Sequence, residues 1–153
     1  MNYSWKDIYA QAERFHKASE ILNQKDEDCK IVSFTNAAFA IELYCKALYC
    51  KLNGKAPYQN HNIIDIFNSF TIALQNKIQD DYNYELSKRG DSLSKQVEFL
   101  KIKVPDFSTD FKWNLVQIKS AFLRFRYVYE KGNSAVIMFY PELRKTFLNQ
   151  LNT

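Results

Sequence analysis

The chain has 153 residues and a formal net charge of +4, with 46% hydrophobic and 25% charged residues. This balance is typical of one folded globular domain, and it excludes a disordered or fibrous chain. Only 3 glycines and 3 prolines occur beside 22 phenylalanines and tyrosines (12 Phe and 10 Tyr), which favours a few long helices over a turn-rich sandwich or barrel. The positive excess is too small for a dedicated duplex-DNA binder and leaves RNA open as a partner.

The cysteines and the N-terminus indicate a cellular compartment. Cys29, Cys45 and Cys50 are odd in number and lack the spacing of a disulfide framework or a metal cluster, which is typical of a reducing cytosol. The first ten residues contain no apolar core of signal-peptide type. The most apolar stretch, 31–50, carries Glu42 and Lys46 in its interior, which is unfavourable for a membrane span. We therefore expect a cytoplasmic protein with no membrane, metal or cofactor.

The first half of the chain predicts two amphipathic or apolar helices. Ser4 followed by Asp7 resembles a capping box and starts the first helix, which ends at a polar break over 23–28. A second helix is expected from about Lys30 to Leu52, with Gly54 just after its end. This helix is apolar nearly all round, so it belongs in the centre of a bundle.

The second helix also carries one polar stripe that includes Glu42 and Lys46. Glu42 lies four residues before Lys46, the favourable order for an ion pair on a helix. Two interpretations stay open: a salt-bridged strip on the protein surface, or polar support for a binding site together with His61.

The middle of the chain predicts a third and a less regular fourth helix. Asn62 is a suitable N-cap for a helix whose apolar positions are Ile63, Phe67, Phe70 and Leu74. Asp80 and Asp81 are expected to form the next break. The following helix would run to Pro105, with Gly90 as a point of interruption.

The segment from about Asp110 to Glu130 predicts a long helix with two apolar faces, ended by Gly132. One stripe has heptad-like spacing and comprises Phe111, Leu115, Ile118, Phe122, Phe125 and Tyr129. The other lies roughly opposite and comprises Trp113, Val116, Leu123 and Tyr127. One face can pack on the domain's own core and the other on a second copy of the chain, so we expect a homodimer; the alternative is a fully internal helix. A short extended stretch over Ala135 to Tyr140 and a last helix from Pro141 complete the chain.

The same long helix concentrates the basic character of the chain. Between Asp110 and Glu130 its charged side chains are Lys112, Lys119, Arg124 and Arg126. Lys112, Lys119 and Arg126 are spaced by sevens and share one edge of the helix. This edge is either a phosphate-binding surface for RNA or a nucleotide, or the solvated basic flank of an amphipathic helix. The chain has no glycine-rich phosphate loop and no paired-cysteine metal motif, and its two histidines are His16 and His61.

Several segments resemble the HEPN superfamily of small helical bundles. They are NAAFAIELYCKALYCKLNG, HNIIDIF and AFLRFRYVYE, in an order that covers nearly the whole chain. In particular, the chain is similar to an uncharacterised bacterial branch with an RYxYE signature, here Arg126, Tyr127, Tyr129 and Glu130. The resemblance implies one all-α, up-and-down bundle of about five to six helices over residues 1–153, often dimeric. It also implies a role in toxin-antitoxin pairs, phage defence or RNA cleavage, with a cognate antitoxin or nucleotidyltransferase protein as partner.

One departure from the family bears on catalysis. HEPN ribonucleases carry a histidine four to six residues after an arginine, but this chain has no histidine after His61. Glu130 is a weak base, because an unperturbed glutamate has a pKa near 4.3, and it is more simply an ion-pair partner of Arg126. Glu42 of the second helix is the alternative partner for that arginine. The general base expected for RNA cleavage is therefore absent from its place.

Three hypotheses follow for the function. The favoured one is a non-catalytic, dimeric module that binds RNA, a nucleotide or a protein in a defence or regulatory setting. The second is a metal-independent endoribonuclease with an atypical site at Arg126, Tyr127 and Glu130, with His61 delivered from another helix. The third is a purely structural, protein-binding helical adaptor.

Overall fold

The computed structural model describes residues 4–57, 61–126 and 139–153. Within these ranges the chain forms helices and turns and no β-strand, which confirms the predicted all-α bundle. The helices are α1 (Trp5–Asn23), α2 (Glu27–Asn53), α3 (Ile63–Asn68), α4 (Ile72–Ser87), α5 (Asp91–Lys103), α6 (Phe111–Arg126) and α7 (Tyr140–Leu151). The seven helices of the described ranges exceed the five to six expected, because the middle of the chain is divided more finely than its apolar pattern indicates.

Helix α1 begins at the capping box that the sequence predicts. The backbone N–H of Asp7 donates to the Ser4 hydroxyl at 3.3 Å, and the Ser4 backbone N–H donates to the Asp7 carboxylate at 2.9 Å. These bonds satisfy two backbone donors that a helix start leaves unpaired. α1 then packs along α2, with Ala12 fully buried between them.

Helix α2 occupies the centre of the bundle, as predicted from its apolar circumference. It packs against α1, α3, α6 and α7, and its buried positions include Ala40, Ile41, Tyr44, Cys45, Ala47 and Leu48. Gly54 ends the helix with a left-handed backbone at φ 71°, a conformation that glycine adopts without a steric penalty. By length and composition 28–53 could also cross a membrane, but half of its most apolar window is buried inside the bundle, and the core helix of a soluble protein meets the same criteria.

The predicted third helix is wrong in its extent. α3 stops at Asn68, and Thr71 caps a new helix by accepting a hydrogen bond from the backbone N–H of Leu74 at 3.3 Å. Phe70 is buried in the connection, so the apolar pattern continues across the break and conceals it. The expected break at Asp80 and Asp81 is also wrong, because both residues lie inside α4.

Helix α4 continues through the two aspartates because one of its faces packs on the core. Ile78, Tyr82 and Leu86 are buried at successive four-residue steps, which is the spacing of one helix face. Gly90 separates α4 from α5, as the sequence indicates, and α5 ends at Lys103, two residues before Pro105.

Helices α6 and α7 close the bundle. The first apolar stripe of α6 faces the core, with Phe111, Leu115 and Ile118 buried. On the second stripe the Trp113 ring packs edge-on against the Phe107 ring, with the ring centroids 5.1 Å apart. Val116 on the same stripe is 43% exposed. α7 begins at Tyr140, one residue before the predicted Pro141, and packs on α2 and α4. The expected end of the long helix over 127–130 and the extended stretch over 135–138 lie outside the described residues.

Candidate functional site

Three polar residues singled out from the sequence meet beside α2. Lys46 Nζ donates to Glu42 Oε1 at 2.6 Å, and His61 Nδ1 lies 3.2 Å from the same oxygen. The carboxylate oxygen can only accept, so Nδ1 of His61 is the donor in this hydrogen bond, and in the neutral imidazole Nε2 is then an acceptor. Lys46 Nζ also lies 3.5 Å from the same Nδ1. His61 is positioned by the start of α3, where the side chain of the next residue, Asn62, accepts from the backbone N–H of Ile64 at 3.2 Å.

These residues adjoin an open cavity between α2 and α6, here called the α2–α6 cavity. Its volume is about 420 Å³, and its lining comprises Thr35, Ala38, Phe39, Glu42, His61, Ile118 and Lys119. The lining combines apolar side chains (Ala38, Phe39 and Ile118) with charged or titratable ones (Glu42, His61 and Lys119). A cavity of this size and composition is typical of a small-molecule site, or of a site for one unit of a polymer.

The electrostatics of the α2–α6 cavity favour an anion. The side chains of Glu42 and Lys46 are each only 13% exposed and neutralise one another. Lys119 and Lys112 are exposed on one face of α6. Their side chains form no hydrogen bond or ion pair with the part of the chain that the structure describes. The lysines therefore leave an excess of positive charge along this edge.

The remaining predicted site residues fall outside the described part of the structure. The backbone of α6 includes Arg124 and Arg126, but their side chains are not among the described groups, and Tyr127 and Glu130 follow the end of the described range. The sequence offers Glu42 as an alternative partner for Arg126. The structure shows Oε1 of Glu42 already engaged by Lys46 and His61.

The sequence interpretation missed a second polar cluster, where α1, α2 and α7 meet. Tyr44 donates a very short hydrogen bond to Glu13 Oε1. Arg144 donates from Nη2 to the same Glu13 oxygen at 2.9 Å and from Nε to the Tyr44 hydroxyl at 3.0 Å. Burial raises the pKa of Tyr44, and the hydrogen bond to Glu13 raises it further. The phenol is therefore neutral and the three side chains form one closed network.

His16 extends this cluster toward solvent. Its Nδ1 lies 2.8 Å from the Tyr140 hydroxyl, and its Nε2 lies 3.5 Å from Glu20 Oε2. Burial lowers the pKa of His16, and the nearby Arg144 charge lowers it as well. The i, i+3 spacing of Glu13 and His16 places them on one helix face, but their partners on α7 are more than 120 residues away in sequence, so local pattern could not reveal them.

The site thus belongs to an all-α bundle with a cationic, partly apolar cavity beside its central helix. No family model matches the chain, and comparison with curated proteins and with solved structures also finds no match. Among the described residues, no group of three or more histidine, cysteine, aspartate and glutamate side chains is placed to hold a metal ion.

Proposed function

We propose that the protein is a non-catalytic, HEPN-like dimeric module that binds RNA or a nucleotide through the α2–α6 cavity. The observation that carries this proposal is the position of Lys119, which lines the cavity together with His61 and the apolar side chains of Ala38, Phe39 and Ile118. A nucleotide matches this lining, because its anionic phosphate can pair with the lysine and its flat, weakly polar base can pack on the apolar side chains.

The basic edge of α6 supports a ligand longer than one nucleotide. Lys112 lies seven residues before Lys119, and both are exposed. At 1.5 Å per residue their positions are separated by roughly 10 Å along the helix. A phosphate in the cavity and a second one further along α6 could each contact one lysine, which is the sequence-independent mode of backbone recognition.

The resemblance of the sequence to HEPN proteins supports the biological setting. We propose a cytoplasmic defence, toxin-antitoxin or regulatory role, with a cognate antitoxin or nucleotidyltransferase protein as the natural partner. The missing histidine after Arg126 supports binding without cleavage, because a positioned general base contributes roughly 10²-fold to 10⁴-fold to such reactions.

The test is fluorescence anisotropy with a labelled ten-nucleotide single-stranded RNA, measured at low and high salt. We expect the double variant Lys112→Ala, Lys119→Ala to bind at least tenfold more weakly at low salt, with a shallower salt dependence. The matched control is Lys95→Ala, Lys101→Ala, which removes two exposed lysines from α5 and should bind as the wild type does. Equal losses in the two variants would contradict this site, and no RNA binding by the wild type would favour the structural adaptor.

A metal-independent endoribonuclease is the second candidate, and the geometry of His61 favours it. The Glu42 carboxylate accepts from Nδ1 and leaves Nε2 available as a base. The imidazole is 79% exposed, however, and it lacks the water-excluding surroundings of most catalytic bases. RNA cleavage in the presence of a metal chelator, abolished by His61→Ala and by Arg126→Ala but not by Lys95→Ala, would establish this function instead.

A further inference from the structure

A second cavity lies on a different face of α2, between α1 and α7, and is here called the His16 cavity. Its volume is about 390 Å³, and none of its described lining residues lines the α2–α6 cavity. Phe34, Ala37 and Pro141 supply apolar wall, while His16, Glu20 and Arg144 supply polar groups. The two cavities are separate sites, so ligand binding in the His16 cavity does not depend on RNA binding in the other.

Among the described residues, Arg144 has hydrogen-bonding capacity that no partner uses. A guanidinium carries five N–H groups, and the contacts within the described residues occupy Nε with Tyr44 and Nη2 with Glu13. The end of the guanidinium formed by Nη1 and the second N–H of Nη2 is left for another partner. Two parallel N–H groups of this kind match the two oxygens of a carboxylate or a phosphate.

The charges around His16 determine which ligand fits. The charged groups that act on it are Glu13, Lys17 and Glu20 from α1 and Arg144 from α7, while the α2 residues of the cavity, Ser33, Phe34 and Ala37, are uncharged. With His16 neutral, these two carboxylates and two cations sum to zero. Protonation of His16 gives a net charge of +1, which complements one anionic group.

We propose that the His16 cavity binds a small organic oxyanion, a carboxylate or phosphate group on an apolar body, with Arg144 holding the oxyanion. The apolar body packs against Phe34, Ala37 and Pro141. Anion binding draws a proton onto His16, whose ring then lies between the Tyr140 hydroxyl, the Glu20 carboxylate and the ligand. Binding therefore strengthens as the pH falls.

The first experiment uses calorimetry and the NMR signals of the His16 ring with benzoate and phenyl phosphate as probes. Benzamide, which has the same ring and no charge, is the control. We expect benzoate or phenyl phosphate to bind at least tenfold more tightly than benzamide, and at least threefold more tightly at pH 6 than at pH 8, with net proton uptake. Stronger binding of one anion than the other identifies the ligand as a carboxylate or a phosphate. Equal binding of benzamide, or no binding of either anion at 10 mM, would overturn the proposal.

The second experiment locates the probe. Arg144→Gln should weaken binding of the preferred anion at least tenfold, whereas Arg14→Gln, which removes an exposed arginine from α1, should leave it within twofold. Ala37→Leu fills the cavity without changing a charge, so it should block binding even where Arg144→Gln fails to fold. His16→Gln should retain binding but lose its dependence on pH. Full binding by Ala37→Leu, or unchanged pH dependence in His16→Gln, would contradict the assignment.

Discussion

At the scale of single residues, one partly buried polar network joins helices that are far apart in sequence. Tyr44 and Glu13 are 31 residues apart, and Tyr44 and Arg144 are 100 apart. Tyr44 is fully buried, so its hydroxyl needs partners inside the protein. It donates to a carboxylate and accepts from a guanidinium, which links α1, α2 and α7 at one point.

Tyr44→Phe tests the contribution of that hydroxyl. The substitution keeps the ring and removes a hydrogen bond to a charged group, leaving Arg144 Nε without its acceptor. We expect the free energy of unfolding to fall by about 1 to 2 kcal/mol, measured by urea denaturation. Tyr84→Phe is the matched control, because Tyr84 is 65% exposed, and a change there should stay within about 0.5 kcal/mol. Equal effects at the two positions would show that the Tyr44 network contributes nothing to stability.

Glu13 gives the same network a dependence on pH. Burial acts to raise the pKa of Glu13, but the hydrogen bonds from Tyr44 and Arg144, with the Arg144 charge, outweigh burial and hold that pKa below its ordinary value. A carboxyl whose pKa is lower in the folded state stabilises the fold above its unfolded-state pKa, about 4.3. That contribution is lost as the pH falls through the lower folded-state pKa.

We therefore expect Glu13→Gln to be less stable than the wild type at pH 7, with a difference that narrows as the pH is lowered from 4.3 toward 3. Urea denaturation at pH 7, 5, 4 and 3 measures this difference. Glu98→Gln, at an exposed carboxylate of α5, should instead give a curve parallel to that of the wild type. A constant difference between Glu13→Gln and the wild type would contradict the linkage.

Sequence reasoning could find single-residue interactions only where they are local. The Glu42–Lys46 pair follows from an i, i+4 spacing, and the structure confirms it at 2.6 Å. His61, 15 residues after Lys46 in the sequence, joins this pair, a contact that the sequence pattern alone does not derive. The Glu13–Tyr44–Arg144 network could not be derived, because its members meet only through the packing of three helices.

At the scale of the helices, boundaries set by capping residues were predictable, and boundaries inside a continuous apolar pattern were not. Ser4 and Gly54 mark the start of α1 and the end of α2 as expected. The division between α3 and α4 was missed because Phe70 is buried between them. Asp80 and Asp81 resemble a break, but Asp81 accepts a hydrogen bond from Gln150 of α7 at 2.5 Å, so a charged residue here docks one helix on another.

Two glycines at helix ends have positive φ but different backbone conformations, so we expect substitutions at them to differ in cost. Gly54 has φ 71° and ψ 3°, a left-handed conformation that asparagine also tolerates, whereas Gly90 has φ 54° and ψ −140°. The Gly90 conformation is close to a region occupied almost only by glycine. No atom lies within 4 Å of a Cβ built at either position, so backbone strain alone determines the cost of substitution.

We expect Gly54→Ala to reduce stability by about 1 kcal/mol and Gly54→Asn to reduce it by less. Gly90→Ala and Gly90→Asn should both reduce it by about 1 to 3 kcal/mol. Urea denaturation of the four variants measures the loss in the free energy of unfolding. Each position serves as the control for the other. Asparagine rescuing both positions equally would contradict the assignment of two different backbone conformations.

At the scale of the whole molecule, composition and periodicity established the helical class and the central place of α2. They could not determine which face of α2 meets which neighbour, since that helix is apolar nearly all round. The two cavities result from this packing: Glu42 and Phe39 border one of them, and Phe34 and Ala37 border the other. The central helix therefore presents separate faces to the two cavities.

The long helix α6 also has two apolar faces, and these lead to the prediction of a homodimer. Its first stripe packs against the core, since Phe111, Leu115 and Ile118 are buried. Val116 on the second stripe is 43% exposed. An apolar stripe on a helix that already fills one face against its own core favours a second copy as its partner. Light scattering should report about 36 kDa, twice the chain mass of 18.1 kDa.

Val116→Glu should shift this mass toward the monomer, because a symmetric interface would bury the introduced charge twice without a partner. Ile102→Glu is the matched control, since Ile102 is 80% exposed on α5, away from the proposed interface, and it should leave the mass at the dimer value. A wild-type protein that is monomeric at micromolar concentration would contradict the homodimer. A dimer equally insensitive to both substitutions would place the interface on another surface than α6.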